Sequence, residues 1–110
     1  MERLRRRADF LAAATGIKAP TAGFVLQVRP RGDQAPGRVG FTVARKVGTA
    51  VERNRVRRRL KEVVRLAAAT GLPSGNDYVL VGRRPALSLP FEQILNDFNR
   101  ALGRLRVAHR

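Results

Sequence analysis

The cationic run between Arg53 and Arg65 is the part of this chain best suited to chemistry. Seven of these thirteen residues are arginine or lysine, and the only acid among them is Glu62. Like charges three or four positions apart on a helix each cost ~0.2–0.5 kcal/mol, so the whole run costs on the order of 1 kcal/mol in the free protein. An ordinary solvated face mixes charges of both signs, whereas a bound polyanion would compensate this excess. The residue types therefore predict phosphate binding.

The same segment predicts the helix that would present these charges. Thr49 and Glu52 have the spacing of a capping box, which places the helix start at Thr49, and we expect its end near Thr70-Gly71. Apolar residues at steps of three and four then form one buried stripe: Val56, Leu60, Val63, Val64 and Ala67. At about 100° per residue, an adjoining face collects polar residues: Asn54, Arg57, Arg58, Lys61 and Arg65.

The overall charge supports the same interpretation. The chain has 110 residues, 23 lysines and arginines, and a formal net charge of +15, and its length suits a single domain over residues 1–110. Nearly all of the cations are arginine, whose planar guanidinium grips phosphate oxygens in pairs. A GC-rich genome would also favour arginine, so the excess of positive charge carries the argument rather than the preference for arginine.

Residues that could make the protein a catalyst by itself are scarce. There is no cysteine, which excludes disulfides, thiolate chemistry and zinc fingers, and the only histidine is His109, near the end of the chain. A protein-only metal nuclease needs clustered carboxylates, but the eight acids are scattered singly along the sequence. We therefore expect no catalytic residue and no metal site in the protein.

The chain gives no sign of membrane insertion or export. No apolar stretch approaches the length of a membrane span. The arginine-rich start is followed by only a short apolar run, which Asp9 separates from the cations, so it does not match a signal peptide. We expect a cytoplasmic protein.

The hydrophobic pattern predicts an α+β fold. A strand–helix–strand unit surrounds the basic helix, so strands 39–45 and 78–83 are predicted to be parallel members of one sheet, with helices on one face. Pro20 limits the strand at 17–21 to an edge. The predicted elements outside the basic helix are a helix at 3–14, strands at 17–21, 24–29, 39–45 and 78–83, and a helix at 91–105.

Residues 40–62 read GFTVARKVGTAVERNRVRRRLKE. This run resembles the protein subunit of bacterial ribonuclease P, whose pattern is a strand, a Lys/Arg-Lys-x-Gly turn and an Arg-Asn-Arg-x-Lys/Arg-Arg helix. Further similarity lies in Arg7–Phe10, Phe24–Leu26 and Tyr78–Ala86. The resemblance covers roughly residues 4–105, in the right order and spacing.

The resemblance implies a fold: a two-layer α+β sandwich in which one mixed sheet of about four strands packs on helices. Its type is that of ribosomal protein S5 domain 2, in which the crossover around the basic helix is left-handed. This handedness is an exception to the usual rule for parallel strands, and reasoning from the sequence alone would favour the opposite hand.

The resemblance also implies a function: removal of the 5′ leader of precursor tRNA by a catalytic RNA subunit with bound Mg²⁺, which the protein assists. The implied partners are that RNA and precursor tRNA, with neither DNA nor a membrane. The implied contacts to the catalytic RNA are Arg45, Lys46, Arg53, Asn54, Arg55, Arg57, Arg58, Lys61 and Arg65. The implied leader cleft contains Phe10, Val25 and Gln27. Asn54 could instead be an ordinary surface amide, and Phe10 could simply anchor the first helix.

Two departures from the family bear on the leader. No second aromatic residue follows Phe10, and Gln27 takes a strand position at which the family often has tyrosine. Stacking on an aromatic ring is worth ~1–3 kcal/mol per base, so leader binding here is expected to depend more on hydrogen bonds and charge. The alternatives are a ribosomal or ribosome-assembly protein, a DNA-binding architectural protein, and a stand-alone nuclease.

Overall fold

The computed structural model describes residues 2–69 and 72–108, and within these ranges the chain forms five strands and three helices. The strands are β1 (Glu2–Arg3), β2 (Ile17–Pro20), β3 (Phe24–Pro30), β4 (Arg38–Val43) and β5 (Asn76–Gly82). The helices are α1 (Arg7–Ala14), α2 (Ala50–Ala67) and α3 (Phe91–Ala108). Short 3₁₀ turns follow β4, at Arg45–Val47, and β5, at Arg84–Leu87.

The strands form one mixed sheet in the order β1-β4-β5-β3-β2. The central strand β5 runs parallel to β4 and antiparallel to β3. The predicted parallel pair around the basic helix and the α+β class are therefore confirmed. The strand that contains Pro20 lies at an edge of the sheet, as its lack of a backbone N–H requires.

The main core lies between the sheet and the two long helices. Helix α2 packs on β4 and β5, and α3 packs on β2 and β3. Phe24 of β3 meets Phe98 of α3 with ring centroids 6.2 Å apart. Gly82 lets α2 approach β5 closely, because a Cβ there would lie 2.7 Å from a methyl carbon of Val56. The buried stripe of the basic helix therefore rests on the middle of the sheet.

The first helix lies on the opposite face. Ala13 of α1 is buried with Leu4 and Val79, whereas the neighbouring β5 residues Tyr78 and Leu80 belong to the main core. The prediction that the helices share one face is therefore wrong for α1. Its sequence, RADFLAAA, has no strong apolar stripe that would have indicated which side of a sheet it covers.

Element boundaries differ from the predictions mainly at the start of the chain. The predicted helix at 3–14 begins only at Arg7, because residues 2 and 3 pair with β4 as an additional edge strand that the predicted set of about four strands lacked. Strand β4 was predicted to extend to Arg45, but it ends at Val43, and Arg45 is the first residue of the 3₁₀ turn. Helix α2 ends at Ala67, and Thr70-Gly71, where its end was predicted, lies outside the described residues.

A buried acid joins the central strands. Asp77 is the second residue of β5, and its neighbours in the strand register are Arg38 of β4 and Arg29 of β3. The Asp77 side chain is 0% exposed and accepts two hydrogen bonds of 2.8 Å from Arg38 and one from Arg31. Burial alone would raise the pKa of Asp77, but the hydrogen bonds from Arg38 and Arg31 outweigh it and hold this pKa below its ordinary value.

Replacing this acid should destabilise the fold. Asp77→Asn removes the buried carboxylate that Arg38 and Arg31 contact, and breaking a buried pair in this way costs about 3–5 kcal/mol. Because the folded-state pKa of Asp77 is lowered, its stabilising effect is present above about pH 4 and is lost as the pH falls through the folded-state pKa. Urea unfolding should therefore show a difference in the free energy of unfolding between wild type and variant at pH 7. This difference should become smaller as the pH falls towards 2.

The matched control is Glu92→Gln, which removes the same charge from an exposed position in the first turn of α3. It should change the free energy of unfolding much less. Equal losses from the two substitutions would show that net charge, rather than the buried pair, determines the stability.

Candidate nucleic-acid interface

The capping box fixes the start of the basic helix. Glu52 N donates to Thr49 Oγ1 at 3.1 Å, and Thr49 N donates to Glu52 Oε1 at 3.0 Å. The hydrogen bond from the Thr49 backbone, together with the side chain of Arg84, lowers the pKa of Glu52. The predicted cap is therefore confirmed, and it sets the rotation of every later residue in α2.

The stripe on α2 also lies as predicted. Val56, Leu60, Val63 and Val64 are buried, and Ala67 packs beside them. The predicted contact residues lie away from this stripe: Asn54, Arg55, Arg58, Lys61 and Arg65 are exposed, and Arg53 and Arg57 are half-buried. Arg45 and Lys46 are exposed on the 3₁₀ turn before the helix.

The cations of this face differ in whether their side chains already bind other residues of the protein. Arg55, Arg58 and Lys61 make no side-chain hydrogen bond or ion pair with any residue of the described ranges, and are available to a ligand. Arg65 forms a bidentate ion pair with Glu62, whose pKa it lowers, so its charge is partly neutralised.

Two further predicted residues are organised by local contacts. Arg57 Nη1 donates to Asn54 Oδ1 at 2.8 Å, so each side chain orients the other on the exposed face. Arg53 has its Nε buried without a hydrogen-bond partner in the described part of the chain. A buried donor of this kind normally finds a partner, such as water or a ligand.

Arg59 belongs to the cationic run but has a structural role. Its guanidinium donates to the carbonyl oxygens of Ala86 at 2.6 Å and Leu89 at 2.7 Å. It therefore joins α2 to the segment between β5 and α3. Only the three-dimensional structure separates this arginine from its neighbours, because the sequence pattern of the run is uniform.

A second surface lies on the sheet face that carries α1. Val25 and Gln27 of β3 lie opposite Val81 and Val79 of β5, so both point to this face. Gln27 and Phe10 line a cleft of about 420 Å³ between α1 and the sheet. The other residues of the cleft are Arg5, Arg7, Leu11, Ala14, Phe41, Thr42, Val79 and Val81.

Val25 lies in an adjoining hollow on the same face. Val81 lines both the cleft and this hollow, which also contains Lys46, Arg83 and Arg84. The three predicted leader residues are therefore brought together on one continuous surface. Sequence reasoning missed Thr42, Val79 and Val81, although strand alternation would have placed them beside Val25 and Gln27.

Phe10 packs against the sheet and also lines the cleft. Its ring lies so close to Gly40 of β4 that a Cβ on that glycine would lie 2.6 Å from two ring carbons. The ring therefore anchors α1 on the sheet. Phe10 is nevertheless only half-buried, and it forms part of the cleft wall.

The two surfaces lie on opposite faces of the sheet and meet at the turn between β4 and α2. Arg84, which lines the hollow beside the cleft, donates from Nη1 to Val47 O at 2.7 Å and pairs with Glu52 at 3.3 Å. One arginine thus connects the hollow with the cap of the basic helix.

The donor groups suit anion binding better than metal catalysis. The described residues contain no group of three or more His, Cys, Asp or Glu side chains that could hold a metal ion. Asp9 and Asp33 each share an arginine partner with Asp77, although the acids are scattered in the sequence, so arginines contact their oxygens. His109 lies outside the described residues.

None of the helices described has the length and apolar character needed to cross a membrane.

Solved structures with this fold are known. The chain superposes on the RNase P protein of Staphylococcus aureus with a TM-score of 0.78 and 25% identity, covering 97% of both chains. It superposes on the RNase P protein of Thermotoga maritima with a TM-score of 0.77 and 30% identity, covering 94% of this chain and 97% of the other.

Sequence relatives agree with the structural ones. The ribonuclease P protein component of Gluconacetobacter diazotrophicus is 45% identical over 106 residues, which cover 96% of this chain and 91% of the relative. That of Bartonella quintana is 44% identical over 106 residues, which cover 91% and 80%. The family model described as Ribonuclease P matches residues 1–106. The chain therefore belongs to the ribonuclease P protein family.

Proposed function

We propose that this chain is the protein subunit of a ribonuclease P holoenzyme in the bacterial cytoplasm. It binds the catalytic RNA subunit and the 5′ leader of precursor tRNA, and it assists the Mg²⁺-dependent cleavage that leaves the mature tRNA 5′ end. The observation that carries the proposal is the outward face of α2, on which Arg55, Arg58 and Lys61 have no acidic partner within the described ranges.

The face of α2 is assigned to the catalytic RNA. Folded RNA offers closely spaced phosphates, and arginine forks bind their oxygens in pairs. The Asn54 amide, held beside Arg57, can bond bases or 2′-hydroxyls as well as phosphates. The proposed contacts are Arg45, Lys46, Arg53, Asn54, Arg55, Arg57, Arg58, Lys61 and Arg65.

The cleft on the other face is assigned to the leader. A single strand can expose its bases, which the half-buried ring of Phe10 and the apolar floor around Val25 would contact. Gln27 adds an amide that can hydrogen-bond to base edges. Cations border this surface at Arg5, Arg7 and Lys46, so the backbone of the strand would also be neutralised.

The cleavage chemistry is assigned to the RNA. The carboxylates of the described residues are separate or bound to arginine, so the protein does not offer the clustered oxygens that Mg²⁺ needs for catalysis. RNA phosphates would hold the Mg²⁺, which would supply activation of water and stabilisation of the leaving oxygen. The protein lowers the repulsion between the two RNAs where they approach each other, and this neutralisation favours cation binding indirectly.

Reconstitution tests the proposal directly. The protein is mixed with precursor tRNA at low Mg²⁺, with and without the catalytic RNA of the same organism, and the 5′ end of the product is mapped. Cleavage at the mature 5′ end is expected only when both subunits are present. Cleavage by the protein alone would contradict the proposed mechanism, and binding to ribosomes without any effect on the catalytic RNA would favour a ribosomal role.

Charge removal from α2 should weaken binding to the catalytic RNA in a salt-dependent way. Arg58→Gln with Lys61→Gln removes two unpaired exposed cations, so the slope of log affinity against log salt should fall by ~0.7–0.9 for each lost phosphate contact. The slope is measured by filter binding of the catalytic RNA.

The matched control is Arg100→Gln with Arg104→Gln, which removes two exposed charges from α3. The control should keep the wild-type slope. An unchanged slope in the α2 variant, or equal changes in both, would show that the α2 face does not bind this RNA specifically.

Gln27→Tyr should strengthen leader binding, because an added aromatic ring on the cleft floor can stack on a base for ~1–3 kcal/mol. The dissociation constant of the holoenzyme is measured for precursor tRNA and for mature tRNA, and only the precursor should bind more tightly. Gln93→Tyr, an exposed position on α3, is the matched control. Equal gains for precursor and mature tRNA would show that residue 27 does not contact the leader.

A further inference from the structure

The chain between β5 and α3 contacts several other elements, and we call its residues 83–89 the bridge segment. It contains the 3₁₀ turn Arg84–Leu87 and ends just before Pro90, the residue that precedes α3. Its own backbone hydrogen bonds are local: Ala86 N donates to Arg83 O, and Leu89 N donates to Pro85 O, both at 3.0 Å. Such bonds shape the turn but do not place it on the rest of the fold. Its position therefore depends on contacts with other elements.

Three arginines supply such contacts. Arg83 Nη1 donates to Thr21 O, in the turn between β2 and β3, at 2.9 Å. Arg84 Nη1 donates to Val47 O, in the turn before α2, at 2.7 Å. Arg59 reaches the bridge segment from the middle of α2, where its two Nη atoms donate to two carbonyl oxygens at 2.6 and 2.7 Å. The segment is thus joined to both turns and to the basic helix itself.

The contact from Arg59 has a specific geometry. Carbonyl oxygens at the end of a helical turn lack partners within the turn, and a nearby arginine is suited to satisfy them. The forked guanidinium bonds Ala86 O and Leu89 O at the same time. Ala86 is 0% exposed, so water cannot easily replace the donor that its carbonyl oxygen receives. Arg59 therefore holds two points of the bridge segment against α2.

The bridge segment also forms part of the surface assigned to the leader. Three of its residues, Arg83, Arg84 and Pro85, line the hollow of about 440 Å³ that adjoins the cleft. Pro85 directly precedes Ala86, whose carbonyl oxygen Arg59 binds. A displacement of Ala86 would therefore move Pro85 and Arg84, and with them the wall of the hollow.

Arg59 differs in this respect from the arginine beside it. Arg58 is exposed, and its side chain makes no hydrogen bond or ion pair within the described ranges. Arg59 is half-buried, and both of its Nη atoms are bound to carbonyl oxygens of the protein. The first arginine can bind a phosphate without losing a contact, whereas the second would have to release the bridge segment.

We propose that Arg59 is a positioning residue for leader binding. It holds the bridge segment on α2 and thereby fixes Arg84 and Pro85 in the wall of the hollow. The basic helix and the leader surface, which lie on opposite faces of the sheet, are coupled through this segment. The inference rests on the proposed function, and it gives Arg59 a role in the preference for precursor over mature tRNA without contact with either RNA.

Substitution of Arg59 tests this role in two steps. Arg59→Met removes both donors, Arg59→Lys keeps the charge, and Arg100→Met on the exposed face of α3 is the matched control. Backbone hydrogen exchange of the bridge segment is first measured in the free proteins. The dissociation constants of the holoenzymes for precursor and mature tRNA are then compared, and the salt dependence of binding to the catalytic RNA is measured separately.

Arg59→Met should accelerate hydrogen exchange at Ala86, Ser88 and Leu89, because the segment is no longer held on α2. The dissociation constant for precursor tRNA should rise at least ~5-fold, the lower end of typical coupling between two sites, while that for mature tRNA stays constant. Arg59→Lys should be intermediate, since one ammonium group replaces a two-pronged donor. The control should match the wild type.

The salt dependence separates positioning from direct contact. Arg59→Met should keep the wild-type slope of log affinity against log salt for the catalytic RNA, whereas Arg58→Gln should lower it by ~0.7–0.9 for the lost phosphate contact. A lower slope in Arg59→Met that Arg59→Lys restores would show that Arg59 binds the RNA directly, which would overturn the proposal.

Two other results would also overturn it. Faster exchange with an unchanged ratio of precursor to mature affinity would show that Arg59 only stabilises the fold, and unchanged exchange would show that it does not hold the segment. If Arg59→Met does not fold, Arg59→Lys decides between the same outcomes. A wild-type protein that neither binds nor stimulates the catalytic RNA would instead refute the proposed function. In that case, weaker binding of a single-stranded RNA to the free variant than to the free wild type would still support the positioning role.

Discussion

The buried carboxylate of Asp77 is the interaction on which the arrangement of this chain depends. A protein with a formal charge of +15 must bring cationic strands side by side, and Arg38 and Arg29 flank this acid in the register of the sheet. Arg31 reaches the same carboxylate and also donates to Ala35 O and Pro36 O, so the loop before β4 is fixed as well. One negative charge thus permits the pairing of β3, β5 and β4.

The same network positions the cleft. Asp9 of α1 lies near Arg29 and Arg38, the residues that flank Asp77, so the helix is held at the charged end of the sheet face. Further along β4, Gly40 leaves room for Phe10. Helix α1 therefore covers only part of this face and leaves the floor around Gln27 and Val81 open. The structural ion cluster around Asp77 and the candidate leader cleft therefore lie at two ends of the same sheet face.

The sequence predicted local features well and long-range ones poorly. The capping box, the buried stripe of α2 and the strand alternation of β3 each depend on residues a few positions apart, and all three are present in the structure. The Asp77 network depends on residues 39 to 48 positions apart, so no local pattern signals it. The short α1 lacks a strong apolar stripe, which is why its side of the sheet could not be predicted. Arg59 shows the same limit, since its carbonyl partners are 27 and 30 positions away.

The edges of the sheet have a consequence for the free subunit. Strand β1 has only two residues and carries Arg3, and β2, at the other edge, contains Lys18 and ends at Pro20. Short, charged or proline-containing edges resist the addition of strands from other molecules. Mutual repulsion between copies acts in the same direction, because the net charge is far from zero. Both features oppose the pairing of one copy of this chain with another through the edges of the sheet.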